Sequence, residues 1–162
     1  MAKRLLWWFV AALAAGVAYA ALYRSVQPVG TPQGQIRGAL MEALDALQHG
    51  RASAAMSVVA PDYKDSTGFN RDRLYILARQ ATENREWWSA TIARLEPTME
   101  GNEATVALQL AVRRTEGGTT QTEDMTVRLR NDKVYAYGIA PTHRWRVISA
   151  TNIPNEVTVL GE

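Results

Sequence analysis

The chain has 162 residues, no cysteine, and 18 basic against 16 acidic side chains. Without cysteine it has no disulfide framework, no thiol nucleophile and no cysteine metal site. Lys3, Arg4 and Arg24 flank an apolar N-terminal run, and leaving them out gives 15 basic against 16 acidic residues, a net charge of −1. A neutral domain has no electrostatic footprint for phosphate backbones, so the composition argues against nucleic-acid binding.

The first predicted element is a membrane-spanning helix over Leu5–Tyr23. These nineteen residues carry no charge, two cations precede them, and Arg24 ends the run. As a helix that rises about 1.5 Å per residue, they just span a hydrocarbon core of about 30 Å. Basic residues ahead of the run keep the N-terminus in the cytoplasm, so the remainder of the chain is expected to cross the membrane.

A secretory signal peptide is the alternative for the same segment. Ala18-Tyr19-Ala20 fits the small-x-small cleavage pattern of such peptides. We favour a retained anchor, because the apolar run continues past that site to Tyr23 without a polar region before it. The sequence therefore predicts three parts: an anchor or signal peptide over residues 1–25, a Pro- and Gly-rich linker over 26–34, and a folded domain over 35–162.

Three predicted helices open the folded domain. Apolar residues at spacings of three and four predict an amphipathic helix over Gln35–His49, which Gly50 ends. A shorter helix is predicted over residues 51–59 and a third over 71–82, with Asn70 as its N-cap. Between the last two lies the polar stretch APDYKDSTGFNRD, which we interpret as a connector whose side chains bind local backbone amides.

The hydrophobic period then changes from helical to alternating. Alternation predicts strands over residues 87–96, 103–114 and 122–130, with Pro97 ending the first and a turn at Asn131-Asp132 after the third. A short strand over 134–139 and a final strand over 144–150 follow, with His143 in the loop between them. Helices before a run of antiparallel strands predict an α+β fold, with the helices packed on one face of a sheet of about four to six strands.

The order of these elements resembles the nuclear transport factor and ketosteroid isomerase-like superfamily. A segment of the form DY.D..G..R occurs in small membrane-anchored bacterial envelope proteins of that fold, and the matching residues are Asp62, Tyr63, Asp65, Gly68 and Arg71. The resemblance implies a cone-shaped α+β domain with a curved sheet in a bacterial envelope protein. Together with the cations ahead of the apolar run, it leads us to expect this domain on the periplasmic side of a bacterial inner membrane. That superfamily hosts enzymes, ligand binders and interaction modules, so the fold alone does not choose a function.

An enzyme of this kind needs proton-transfer groups inside the cone. The inward register of the best strands is apolar throughout: Ala104, Val106, Leu108, Leu110, Val112, Met125, Val127 and Leu129. We therefore assign no catalytic, metal-binding or cofactor-binding residue and expect no cofactor. The enzymatic alternative would use Asp62 or Asp65 as a general base with Tyr63 as the acid.

Two non-catalytic functions remain. Aromatic residues suit the lining of a small-ligand pocket: Tyr63, Trp87, Trp88 and Trp145. Small, uncharged residues on the outer sheet face and apolar residues in a late loop suit contact with another chain: Thr105, Ala107, Gln109, Ala111, Tyr135, Tyr137 and Ile139. We favour the second function and expect a non-catalytic, membrane-anchored interaction domain, an accessory subunit of a bacterial membrane complex. Its expected partners are the lipid bilayer along Leu5–Tyr23 and either other subunits or a second copy of the chain.

Overall fold

A computed structural model describes residues 2–115, 118 and 120–151, with the backbone alone for residues 2–11 and 87. The helices are α1 (Ala2–Val26), α2 (Pro32–Gln48), α3 (Ala52–Ala55) and α4 (Arg71–Glu83), with short 3₁₀ turns at Met56–Val58 and Arg85–Trp87. The strands are β1 (Trp88–Glu100), β2 (Glu103–Arg114), β3 (Thr120–Ala136) and β4 (Ala140–Thr151). Within the described residues, the predicted α+β class is confirmed, with a curved antiparallel sheet of four strands in the order β1-β2-β3-β4.

The chain divides into two compact units. The first, here called the helix–hairpin unit, comprises Met1–Val29 and Asp132–Arg144, that is, α1 and the hairpin between β3 and β4. The second, here called the core unit, comprises Gly30–Asn131 and Trp145–Glu162. The domain limits drawn from sequence composition stay a prediction.

Helix α1 includes the segment for which the sequence predicts a membrane span. Each of the ten residues from Ala12 to Ala21 is exposed, so an uncharged surface faces outward all round this part of the helix. In the part of the chain that the structure describes, which leaves out the side chains of residues 1–11, no helix is both long and apolar enough to cross a membrane.

Helix α2 begins three residues before the predicted Gln35, and α4 begins at the predicted residue 71. The hydroxyl of Thr31 accepts a hydrogen bond from Gly34 N, and Pro32 occupies the first helical position of α2. The side chain of Asn70 caps α4 by accepting from Arg73 N at 3.0 Å, as predicted. Both helices present apolar residues to the sheet, whose buried inward side chains include Ala104, Val106, Leu108, Val127, Leu129 and Val147.

Strand β1 continues through the proline that was expected to end it. Pro97 pairs with Val106 inside the β1–β2 ladder, and the strand extends to Glu100. The prediction was wrong because β1 lies at the edge of the described sheet, where proline is tolerated.

The expected turn at Asn131-Asp132 was also wrong, because β3 continues to Ala136. The chain reverses at Tyr137-Gly138 instead, where both residues have positive φ, of 52° and 75°, and Ile139 N donates to Ala136 O at 3.2 Å. Two central residues of positive φ are the signature of a type I′ hairpin. The segments predicted as a short strand over 134–139, a loop at His143 and a final strand thus form the end of β3, the turn and β4.

Candidate functional site

The core unit contains an apolar cavity of about 360 Å³ that is open to solvent on one side. Helices α2, α3 and α4 and the inward side of the sheet provide its wall, which includes Leu44, Leu77, Leu110, Met125 and Val147. Among the described wall residues, Tyr63 alone has a polar side chain. A cavity of this size and chemistry suits a small uncharged ligand, because a charged group would lose its hydration without gaining a partner.

The predicted pocket residues are distributed differently from the expectation. Tyr63 is buried and borders the cavity. Trp145 is buried in the core cluster, and Trp88 is half-buried with its Nε1 donating to Ala81 O at 3.0 Å; neither belongs to the described cavity wall. The side chain of Trp87 lies outside the described residues. The sequence signal for the actual wall was the apolar stripes of α2 and α4, which indicate only that a helix face is buried.

The carboxylate of Asp65 is buried, with 6% of the residue exposed, and is held by four hydrogen bonds. Its Oδ1 accepts from Thr67 N at 2.9 Å, from the Thr67 hydroxyl at 2.8 Å and from Phe69 N at 2.8 Å, while the Tyr63 hydroxyl donates to Oδ2 at 3.4 Å. Burial acts to raise the pKa of Asp65, but the hydrogen bonds outweigh it and the pKa lies below its ordinary value.

The pKa of Tyr63 is shifted in the opposite direction, above its ordinary value. Burial, and after it the charge of Asp65 and the hydrogen bond to that carboxylate, raise the pKa of the Tyr63 hydroxyl above its ordinary value. A general acid and base work best with pKa values near the operating pH, so this pair is poorly suited to the acid–base role considered above. In the described part of the chain no group of three or more His, Asp or Glu residues could hold a metal ion.

The connector between α3 and α4 is fastened to the sheet. Ala60 N donates to Val147 O at 2.9 Å and Lys64 N donates to Ile148 O at 3.1 Å, so the segment covers the outer edge of β4. The carboxylate of Asp62 accepts a hydrogen bond from each of the two terminal guanidinium nitrogens of Arg130, both at 3.1 Å. These contacts give Asp62 and the backbone of the connector a structural role in joining the connector to two strands.

The outer face of β2 is more polar than its own residues predict. Ala107 is exposed, whereas Thr105, Gln109 and Ala111 are half-buried. Polar and charged side chains of β1, β2 and β3 form pairs on this face: Gln109 Nε2 with Asp124 Oδ1 at 2.8 Å, Arg128 with Glu103 at 2.6 Å, and Arg94 with Glu96 at 2.8 Å. The pairs Gln109–Asp124 and Arg94–Glu96 line a groove of about 270 Å³ beside Ala107.

Tyr135, Tyr137 and Ile139 lie at the tip of the β3–β4 hairpin and are exposed. The root of the hairpin, in contrast, is buried at Ala140 and Thr142. There the Thr142 hydroxyl donates to Val26 O at 2.7 Å, and Gln27 Nε2 donates to Pro141 O at 2.9 Å. The hairpin is thus hydrogen-bonded to the C-terminal end of α1 within the helix–hairpin unit.

Comparison with known proteins gives the fold and no closer relationship. No protein-family model matches the chain, and no curated protein does either. Among solved structures, an NTF2-like protein with a cystatin-like fold from Novosphingobium aromaticivorans is similar, with a TM-score of 0.55 and 18% identity over 78% of this chain and 84% of that one. The chain has an NTF2-like fold.

Two further structures share this fold. A protein of unknown function from Nostoc punctiforme has a TM-score of 0.56 and 12% identity, over 77% of this chain and 92% of that one. The CaMKII hub of S. rosetta has a TM-score of 0.55 and 18% identity, over 76% of this chain and 95% of that one. At these identities the likeness shows the fold alone.

Proposed function

We propose that the chain is a non-catalytic, membrane-anchored interaction domain and an accessory subunit of a bacterial membrane complex. The observation that carries the proposal is the exposed, uncharged surface of α1 from Ala12 to Ala21. A helix that is apolar on all sides is covered by lipid or by other protein in its functional state. In the sequence this uncharged run extends over Leu5–Tyr23, the length that a bilayer core requires.

The orientation follows from the flanking charges. Lys3 and Arg4 precede the run, and cations near the end of a spanning helix favour the cytoplasmic side. The N-terminus is then cytoplasmic, and the residues after Tyr23 are periplasmic, in a bacterial inner membrane. Tyr19 and Tyr23, whose rings stack with centroids 6.5 Å apart, occupy the interfacial level at which tyrosine is common.

The chemistry of the core unit supports a role without catalysis. Its cavity is walled by aliphatic and methionine side chains apart from Tyr63. The nearest carboxylate to that hydroxyl, Asp65, is fully engaged by backbone and side-chain donors. The likeness to a protein described as a hub supports an interaction role by analogy of fold only.

Partner contact is proposed at the outer sheet face, which combines the small residue Ala107 with hydrogen-bonded polar and charged pairs. Such a mixture is typical of interfaces that form between separately folded proteins. The partner is another subunit of the complex or a second copy of this chain. The anchor confines both partners to one layer, so a modest interface gains from the high effective concentration.

Membrane fractionation with matched charge substitutions tests the proposal. Leu13→Arg with Val17→Arg places two cations on the exposed helix, at residues 64% and 65% exposed. Met41→Arg with Ile76→Arg places two cations on exposed residues of the core unit as a control. We expect the wild type and the control to stay in membranes after an alkaline wash, and the helix variant to be released. Equal release of all three proteins would contradict the anchor.

Purification in mild detergent tests the interaction role. We expect the wild type to elute in an assembly of defined stoichiometry and Ala107→Arg to elute as a smaller species. A monomer in both cases would contradict the proposed role as a subunit.

A second candidate function is the binding of a small apolar molecule, and the cavity of about 360 Å³ favours it. This volume lies within the range of about 300–1,000 Å³ that is typical of ligand pockets. Native mass spectrometry of the purified full chain would detect a retained molecule as an added mass. Protein that has only its own mass, and that does not bind a neutral apolar dye, would contradict this candidate.

A further inference from the structure

We infer that the tip of the β3–β4 hairpin, Tyr135–Ile139, rests in the headgroup layer of the bilayer that α1 enters. The helix–hairpin unit then contacts lipid at two places, with the helix in the hydrocarbon core and the hairpin at the interface. This inference rests on the proposed function, because it takes α1 as the membrane anchor.

The hairpin root is fixed at the level where α1 leaves the hydrocarbon core. Two hydrogen bonds tie it to the helix end, from Thr142 to Val26 O at 2.7 Å and from Gln27 to Pro141 O at 2.9 Å. Val26 follows Tyr23 by three residues, which is about 5 Å along a helix axis. The polar layer on each side of a bilayer is about 5–8 Å thick, so the root lies at headgroup level.

The tip is within reach of the same layer. Tyr137 precedes Thr142 by five residues, and at about 3.3 Å per residue this places the tip no more than about 17 Å from the root. Residues 132–144 group with α1 as one compact unit and not with the rest of the sheet. The tip therefore lies in the same compact unit as the proposed anchor helix.

The chemistry of the tip matches an interface between lipid and water. Tyr137 is 81% exposed and Ile139 is 60% exposed, so both present apolar surface to the surroundings. Tyrosine rings occupy the headgroup level because one end is apolar and the other forms hydrogen bonds. Lys133 places its Nζ 5.6 Å from the centroid of the Tyr135 ring, where the cation can reach lipid phosphate while its stem covers apolar surface.

The backbone conformation of the turn indicates that the side chain of Tyr137, and not its turn propensity, accounts for a tyrosine at this position. Tyr137 has a φ of 52°, a conformation that type I′ turns ordinarily assign to Asn, Asp or Gly. A bulky residue is strained there, and within the described residues the Tyr137 hydroxyl makes no hydrogen bond that would offset the strain. Contact of the ring with lipid provides the stabilisation that the turn lacks.

Single-cysteine labelling of the full chain tests this inference, and the absence of native cysteine makes each label unique. The full-length protein is reconstituted into vesicles of phosphatidylcholine and phosphatidylglycerol, with a polarity-sensitive fluorophore on Ile139→Cys, Leu13→Cys or Ile76→Cys. Ile76 is the matched control, because it is 55% exposed and lies in the core unit. Emission wavelength and quenching by aqueous iodide are measured, together with quenching by lipids brominated at known depths.

The expected result is a graded series. The label at position 13 should report the hydrocarbon core, and the label at position 76 should report water. The label at position 139 should report the headgroup level, with iodide quenching several-fold weaker than that of the label at position 76. An Ile139 label that behaves like the Ile76 label, while Leu13 reports the core, would overturn the hairpin contact and leave the anchor intact. A Leu13 label in water would instead overturn the anchor and the inference with it.

A protein partner on the hairpin is a separate outcome. It would shield the Ile139 label from iodide without quenching by brominated lipid, and it would also overturn the lipid contact. The variant Tyr137→Asn provides a second measurement, because it suits the turn and removes the ring. In that variant the Ile139 label should become more accessible to iodide, and unchanged accessibility would contradict the proposed role of Tyr137.

Discussion

Arg130 and Asp62 form a forked ion pair in which Nη1 meets Oδ2 and Nη2 meets Oδ1, both at 3.1 Å. The two residues are 68 positions apart in sequence, so the pair joins the connector between α3 and α4 to β3. Two parallel bonds fix the relative orientation of both groups, which a single contact between a lysine and a carboxylate would not do.

Replacement of Asp62 by Asn should lower the melting temperature at neutral pH. The hydrogen bond from Arg130 is the main cause of the lowered pKa of Asp62. A carboxyl whose pKa is lowered by folding stabilises the protein above its unfolded pKa, and that contribution is lost as the pH falls through the folded value. The difference between wild type and Asp62→Asn should therefore shrink on acidification. Glu83→Gln, which breaks the exposed pair with Arg79 inside α4, is the control and should change the melting temperature less.

Replacement of Asp65 by Asn should destabilise the chain more strongly. The variant keeps one oxygen for the donors of Thr67 and Phe69, but it replaces Oδ2 by an NH2 group, so the buried Tyr63 hydroxyl loses its acceptor and the other bonds lose the carboxylate charge. We expect a loss of about 1–3 kcal/mol in the free energy of unfolding. Since the pKa of Asp65 is lowered, the wild type should lose this stabilisation as the pH falls through that lowered value. Denaturant titration at neutral and acidic pH measures both effects. Glu42→Gln at an exposed site of α2 should be neutral; an equal loss in both variants would contradict this account.

The helical half of the fold was predictable because each of its signals is local. The Asn70 cap, the apolar spacing of α2 and the polar connector all act within a few residues. The Pro97 and Asn131-Asp132 predictions failed because their outcome depends on neighbouring strands. A proline is tolerated in an edge strand. An Asn-Asp pair can lie within a strand when the chain on both sides of it stays in the sheet, as it does in β3.

The candidate site was predictable only in its chemistry. Apolar inward residues on β2 and β3 were identified from alternation, yet a stripe of leucines does not show whether it packs tightly or leaves a cavity. Likewise, the outer face of β2 looked uncharged because Asp124 and Arg128 come from the adjacent strand, and register determines which of them lie beside Gln109 and Thr105.

Filling the cavity should separate ligand binding from stability. Ala78 borders the cavity, and Ala78→Leu adds apolar volume where space is available. Binding of a neutral apolar dye should fall several-fold, with an unchanged or higher melting temperature. The control is Ala107→Leu on the outer sheet face, which should bind the dye like the wild type. Undiminished binding to Ala78→Leu would place the dye elsewhere.

Relief of the strained hairpin turn should stabilise the protein. Tyr137→Asn places a residue that tolerates positive φ at the turn and should raise the free energy of unfolding by about 0.5–1 kcal/mol in detergent solution. Tyr135→Asn, two residues earlier in the chain, should give no gain, because Tyr135 lies in β3 and contacts Lys133. Denaturant unfolding of both variants measures the difference, and a loss of stability in Tyr137→Asn would show that its ring packs on protein.

The intact mass of protein extracted from washed membranes tests the central claim most directly. A retained anchor predicts a species that includes the whole of Leu5–Tyr23, beginning at Met1 or Ala2. A secretory signal peptide cut after Ala18-Tyr19-Ala20 would give a species beginning at Ala21. That shorter species, released from the membrane by the wash, would contradict the membrane-anchored interaction domain proposed here.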